Sequence, residues 1–255
     1  MLLTIDIGNS NITFGIFNKQ KLLQKWRITT EIKTTVDEYE LLISNLINHS
    51  GYPMNKITDV SICSVVPNLT ETLYYACTKW IEKKPLIVKS GIKTGIKLLV
   101  ENPREVGADR VADVVGTYQI YGGPSILVDF GTHTVFNAIS SNGEFLGGSI
   151  SPGIIMSAES LFINSSQLGK VELIAPKSVI AKSTSTNIQS GLIYGYVSLV
   201  EGMIKKMKDE LGQNTNIIGT GGLIHLIRNL TTIFDHVNPD ITLIGLKYIY
   251  EMNDN

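Results

Sequence analysis

Two aspartates stand where an apolar run gives way to a glycine. Asp6 lies in "LTIDIGNSNITFGIF", residues 3–17, and Asp129 in "ILVDFGTHTVFNAI", residues 126–139. Both stretches share one plan: apolar run, Asp, apolar residue, Gly, small polar residues, second apolar run. An Asp-x-Gly at a strand–turn–strand corner puts the carboxylate at the sheet edge. The glycine lets the backbone approach a ligand closely or take φ > 0. The hydroxyl and amide residues that follow supply donors, so loops such as "DIGNSN" and "DFGTHT" suit phosphate groups. The carboxylate is itself an anion, so it must reach a phosphate through a cation or a water. Asp and Gly are also ordinary turn residues. Two copies in matching contexts, half a chain apart, favour the ligand-binding reading.

The elements that position these loops read as one grammar written twice. Residues 2–7, 12–17 and 22–28 predict a three-stranded antiparallel meander with breaks at "GNSN" and "NKQK". Tyr39, Leu42, Ile43, Leu46 and Ile47 have helical spacing, and Gly51 stops the helix. "DVSICSVV" predicts a buried strand, "NLTETLYYACTKWIEK" a helix capped at Asn68, and "PLIV" a strand. Residues 91–106 are irregular, and a helix starts near Ala108 with Val111, Val114, Val115 and Tyr118 on its apolar stripe. A second meander follows in "SILVDFG", "HTVFNAIS" and "EFLGGSIS". Helices are predicted at "GIIMSAESLFINSS" and about 187–211, a strand at "NIIGTGG", and helices at "LIHLIRNL" and "ITLIGLKYIYEMN". The expectation is an internal duplication, with α/β lobes at about 1–115 and 116–255 facing each other across a cleft.

Composition narrows the function classes. The chain has 255 residues, 43% hydrophobic and 18% charged, with a net charge of −1. That supports a large core and gives no polybasic surface, so neither nucleic acid nor a membrane is an expected partner. Cys63 and Cys77 are too few for a disulfide framework or a zinc site and read as buried thiols in a reducing cytosol. "MLLTIDIGNS" lacks the basic start of a signal peptide, and no apolar run reaches 18 residues, so a cytoplasmic protein is expected. No GxxxxGK[ST] and no GxGxxG after a strand is present; "GTGG" at 219–222 is a glycine turn.

Paired Asp-x-Gly hairpins in duplicated lobes resemble the acetate and sugar kinase, heat-shock chaperone and actin superfamily. The ordered set "DIGNSN", "WRITT", "SVVP", "NPREVGADR", "YGGPSILVDFGT", "FLGGSISPGI", "QSGLIYGYVSLVEG", "GTGG" and "DHVNPDITLIGLKYIYE" is similar to one family, type III pantothenate kinase. The motifs span residues 6–251, nearly the whole chain.

The resemblance implies actin-like, ribonuclease H-like lobes, each a mixed five-stranded sheet with flanking helices. It implies phosphorylation of pantothenate to 4′-phosphopantothenate by ATP, the first step of coenzyme A biosynthesis, in a homodimer. By the same resemblance, Asp6, Ile7, Gly8, Asn9, Ser10, Asn11, Ile12, Thr13 and Thr132 match the ATP site, with Asp6 placed for Mg²⁺. Asp109 matches the general base. Val100, Gly107, Ala108, Asp109, Arg110 and Thr184 match the pantothenate site, and Asp129 a site for K⁺ or NH₄⁺. Phosphoryl transfer needs in-line positioning and charge neutralisation more than covalent help. An Asp at the mouth of a helix can accept a hydroxyl proton, and an adjacent Arg can hold a carboxylate or the moving phosphoryl group. Trp26 and Arg27 read as packing residues at the end of the first meander.

The chain departs from the family at His133 and Val135, in a loop that usually reads DxGTATT. It also departs at Val100, often Tyr, and at Ile244, which tends to be Glu. Two other readings therefore stand beside the kinase: a non-catalytic regulatory relative that assists transcription, and a superfamily kinase with another small substrate.

Overall fold

The computed structural model describes residues 1–163 and 170–254. In chain order the first half holds β1 (Leu2–Ile7), β2 (Asn11–Asn18), β3 (Lys21–Thr29), α1 (Val36–His49), β4 (Asp59–Ser64), α2 (Pro67–Thr78), β5 (Leu86–Ile87) and α3 (Ala108–Tyr121). The second half holds β6 (Ser125–Phe130), β7 (His133–Ile139), β8 (Phe145–Pro152), α4 (Ile154–Ile163), α5 (Thr184–Leu211), β9 (Asn216–Thr220), β10 (His236–Val237) and α6 (Ile241–Asn253).

Each half builds a five-stranded sheet, ordered β3-β2-β1-β4-β5 and β8-β7-β6-β9-β10. In both, a meander runs antiparallel and the later strands join in parallel to its first strand. The duplication extends to the register. Asp6 pairs with Thr13 one step before the last hairpin pair, Ile7 with Ile12. Asp129 pairs with Val135 one step before Phe130 with Thr134.

The chain forms two compact units. One comprises residues 1–97, 101–119 and 241–255, and the other residues 98–100 and 120–240. A division at residue 115 puts α6 with the second lobe. Its packing puts it on the first sheet, where the Leu246 carbonyl accepts from Ser61 Oγ at 3.2 Å.

Strand alternation decides which face carries chemistry. In the first unit Leu3, Ile5 and Ile7 of β1 and Ile12, Phe14 and Ile16 of β2 pack on Tyr39, Ile43 and Ile47 of α1 and Leu69 and Leu73 of α2. The residues between them, Leu2, Thr4 and Asp6, point to the opposite face, where Leu2 and Phe17 meet Leu243 and Tyr250 of α6. Ser61 and Cys63 of β4 pair with Thr4 and Asp6 and share that face. In the second unit the core joins Ile126, Val128 and Phe130 of β6 to Ile193, Val197 and Val200 of α5.

Helices α3 and α6 touch backbone to backbone. A Cβ at Gly245 would lie 1.8 Å from the Ala112 carbonyl oxygen, and one at Gly116 would lie 2.4 Å from that of Ile241. Gly245→Ala should therefore lower stability by about 3 kcal/mol, since the obstacle is backbone and cannot rotate away. Urea denaturation checks this, and an unchanged midpoint would refute so close a packing.

Several predicted boundaries move. "LIHLIRNL" forms only a 3-10 turn at Ile224–Leu226. The Leu223 N–H is tied to the Phe130 carbonyl at 3.0 Å, and Gly221 has φ +90, so the segment is held to the sheet and cannot propagate a helix. The helix predicted over 68–83 is α2, shorter, with Pro67 in its first turn and Val66 as cap rather than Asn68. The long helix starts at Thr184, three residues early, because Ser183 and Thr186 form a capping box. The short strand β10 carries no sequence signal of its own. The last three residues of the helix predicted at 153–166 lie outside the described residues.

Candidate active site

In the first unit the β1–β2 turn is held tightly. The Gly8 N–H donates to the Asn11 carbonyl at 3.0 Å, and Thr30 Oγ1 donates to the Gly8 carbonyl at 2.7 Å. Thr30 N–H also donates to the Ser10 carbonyl at 3.1 Å. Asn9 and Ser10 are exposed at the tip, where their polar groups can meet a ligand. Ile7 and Ile12 are fully buried in the core, so only their backbones are available to one.

Asp6 sits beneath this turn. Cys63 Sγ donates to its Oδ1 at 3.3 Å from the neighbouring parallel strand. Burial raises the Asp6 pKa to about 7, and the Asp109 charge adds to the rise; the Cys63 bond and Arg27 oppose it. The Asp6 and Asp109 charges therefore act on each other, although α1, β4 and α2 separate them in sequence; both residues are half-buried.

Asp109 stands in the first turn of α3, where the helix N-terminus favours negative charge. Its Oδ1 accepts the Arg110 N–H at 2.7 Å. Burial still raises its pKa, with the Arg110 N–H and the Arg110 charge pulling the other way. A Cβ at Gly107 would lie 2.4 Å from Asp109 Oδ1, so a side chain there would push this carboxylate out of its present position. Arg110 is half-buried; burial lowers its pKa, and Asp109 and Asp113 offset that. Two carboxylates whose charges act on each other, with hard oxygen donors, are a fit for a divalent cation, which would relieve their repulsion.

The remaining predicted residues belong to the second unit. The Asp129 carboxylate packs against a glycine turn: a Cβ at Gly221 would lie 2.3 Å from its Oδ1. The Thr132 carbonyl accepts the Gly153 N–H at 3.2 Å, and the Gly131 N–H donates to the His133 carbonyl at 3.0 Å. His133 is exposed. Thr134 instead points inward and bonds the Tyr196 hydroxyl. Val100 lies against β8, where a Cβ at Gly147 would be 3.7 Å from its Cγ1. Thr184 lines a shallow apolar pocket of ≈ 630 Å³ with Ser157, Ser160, Leu161, Asn187 and Ile188.

Three residues of the first unit escape sequence reasoning. Cys63 is buried as expected, and it also donates to Asp6, which no sequence motif signals. Arg27 reads as a packing residue, yet its charge acts on Asp6. Asp113 carries no motif signal. The alternation that puts Cys63 on the Asp6 face was the one signal available.

A family model described as type III pantothenate kinase matches residues 2–206. A type III pantothenate kinase of Moorella thermoacetica is 44% identical over 99% of this chain and 100% of its own length. One of Syntrophobacter fumaroxidans is 45% identical over 99% of this chain and 98% of its own length. Among solved structures, the activator of the 2-hydroxyisocaproyl-CoA dehydratase from Clostridium difficile, with bound ADPNP, superposes with a TM-score of 0.54. It is 13% identical and covers 99% of this chain and 96% of its own, so it shares the actin-like fold alone.

Proposed function

The chain belongs to the type III pantothenate kinase family, and from that premise we propose how its residues divide the work. The enzyme phosphorylates pantothenate with ATP in coenzyme A biosynthesis. Family membership thus takes the kinase over the regulatory and other-substrate readings that the sequence left open.

Asp109 accepts the proton of the pantothenate primary hydroxyl as that oxygen attacks the γ-phosphorus. The position of Asp109 at the N-terminus of α3, with its charge acting on Asp6, carries this reading, because it couples a cation site to a base. The turn from Asp6 to Thr13 takes the ATP phosphates on exposed Asn9 and Ser10 and on its backbone. Asp6 holds Mg²⁺, which when bound neutralises phosphate oxygens. Arg110 holds the pantothenate carboxylate or the moving phosphoryl group. Gly107 and Ala108 let the backbone close on pantothenate; in the second unit, Val100 and Thr184 are candidate pantothenate contacts by family resemblance. Thr132 gives a further phosphate contact.

Asp129 holds K⁺ or NH₄⁺. Purified protein with Mg²⁺, ATP and pantothenate should form 4′-phosphopantothenate faster with K⁺ than with Na⁺. In Asp129→Asn that difference should vanish. Equal rates in both salts would remove the cation site.

The active form is a homodimer. Exposed Ile155, Met156, Leu161 and Ile163 of α4, with Val179 and Ile180, support this, because so many apolar side chains in one unit call for a cover. Light scattering should give twice the chain mass, and a monomer at assay concentration would refute it. The enzyme works in the cytoplasm. Among the described residues no helix is long and apolar enough to cross a membrane.

A further inference from the structure

Asp113 is a charged residue in the interior of the first unit, 2% exposed and flanked along α3 by buried Val111, Ala112, Val114 and Val115. An ionised carboxylate in such surroundings is costly unless charge and hydrogen bonds compensate it. Thr242, in the first turn of α6, donates its hydroxyl to Asp113 Oδ1 at 2.6 Å. The close approach of α3 and α6 at Gly116 and Gly245 makes this bond possible. Arg110 stands three residues before Asp113, on the same face of α3. Its guanidinium is favoured in the charged form by Asp109 and, next, by Asp113. Arg110 thus feels the charge of two carboxylates, four residues apart on one helix.

We propose that Asp113 is a positioning residue of the phosphoryl-transfer site, drawing the Arg110 guanidinium along α3 so that the Asp109 carboxylate stays open to the substrate hydroxyl. A guanidinium offers five donors in a planar fork and takes a lone carboxylate in a bidentate clamp. Such a clamp on Asp109 would occupy the oxygens that must receive the proton. A second carboxylate one turn further on competes for the fork. Thr242 fixes the orientation of that second carboxylate, which ties α6 to the site. This rests on the reading of Asp109 and Arg110 given above.

A double-mutant cycle tests it. Asp113→Asn keeps the shape and an acceptor for Thr242 but removes the charge. It should lower kcat about tenfold in the wild type and less than twofold in the Arg110→Met background. The KM for ATP should not move. Pantothenate affinity by calorimetry on the same four proteins is a readout independent of turnover, and it should shift with Asp113→Asn only where Arg110 is present. Equal losses in both backgrounds would make Asp113 a purely structural residue and overturn the assignment; so would a silent Asp113→Asn. Should Asp113→Asn not fold, Thr242→Val, which keeps the carboxylate, takes its place. Its smaller kcat loss should likewise vanish with Arg110→Met, and a loss that persists there overturns the assignment. Asp109→Asn serves as control: wild-type turnover there would remove the base, while the cycle would still report the coupling of residues 110 and 113.

Discussion

Asp6→Asn should lose Mg²⁺·ADP binding at least a hundredfold while keeping its fold, and should change how stability depends on pH. Groups that merely orient metal ligands already contribute ten- to a hundredfold to affinity, so removing the ligand's charge should do no less. The Asp6 pKa is raised from 3.8 to about 7 in the folded protein. Between those values the native state keeps the proton and the unfolded chain releases it. Stability from this group is therefore complete below about pH 4 and falls as pH rises through 7, by about 4 kcal/mol at 1.36 kcal/mol per unit. Asn cannot ionise, so Asp6→Asn should flatten that decline and be more stable than the unliganded wild type at pH 8. Denaturation at pH 4.5 and 8 measures it. Parallel declines in the two proteins would show that Asp6 is not the buried acid.

Asp109→Asn should lower kcat by about 10²–10⁴, the usual range for a lost general base, with little change in either KM. Asn keeps the volume and one acceptor for the Arg110 N–H, which the carboxylate now accepts at 2.7 Å. It cannot take a proton. A fall in pantothenate affinity without a fall in kcat would make Asp109 a binding residue instead.

The fold was legible because its signals are local. Alternation over residues 2–28 and 125–151 marked both meanders, and the matching aspartates marked the duplication. The residues that carry the site were legible only through motif order. Nothing in the spacing of Asp6 and Asp109 brings them together; the parallel joining of β4 and the return of the chain into α3 does. Cys63 is the buried thiol that was expected, but its bond to Asp6 had no local signal, since that partner is 57 residues away across a strand pair. Asp113 depends on Thr242, 129 residues on. The failed helix at "LIHLIRNL" shows the converse: its apolar spacing is helical, but a sheet hydrogen bond at Leu223 overrides propensity.

The proton's destination is the centre of this account, and single-turnover chemistry reads it most directly. Enzyme in excess, saturated with Mg²⁺·ATP and K⁺, would be mixed with labelled pantothenate, and 4′-phosphopantothenate followed in wild type and Asp109→Asn. With Asp109 as the base, the variant should bind both substrates and form product at least a hundredfold more slowly in that first turnover. A first turnover at the wild-type rate would contradict it and move the base away from Asp109.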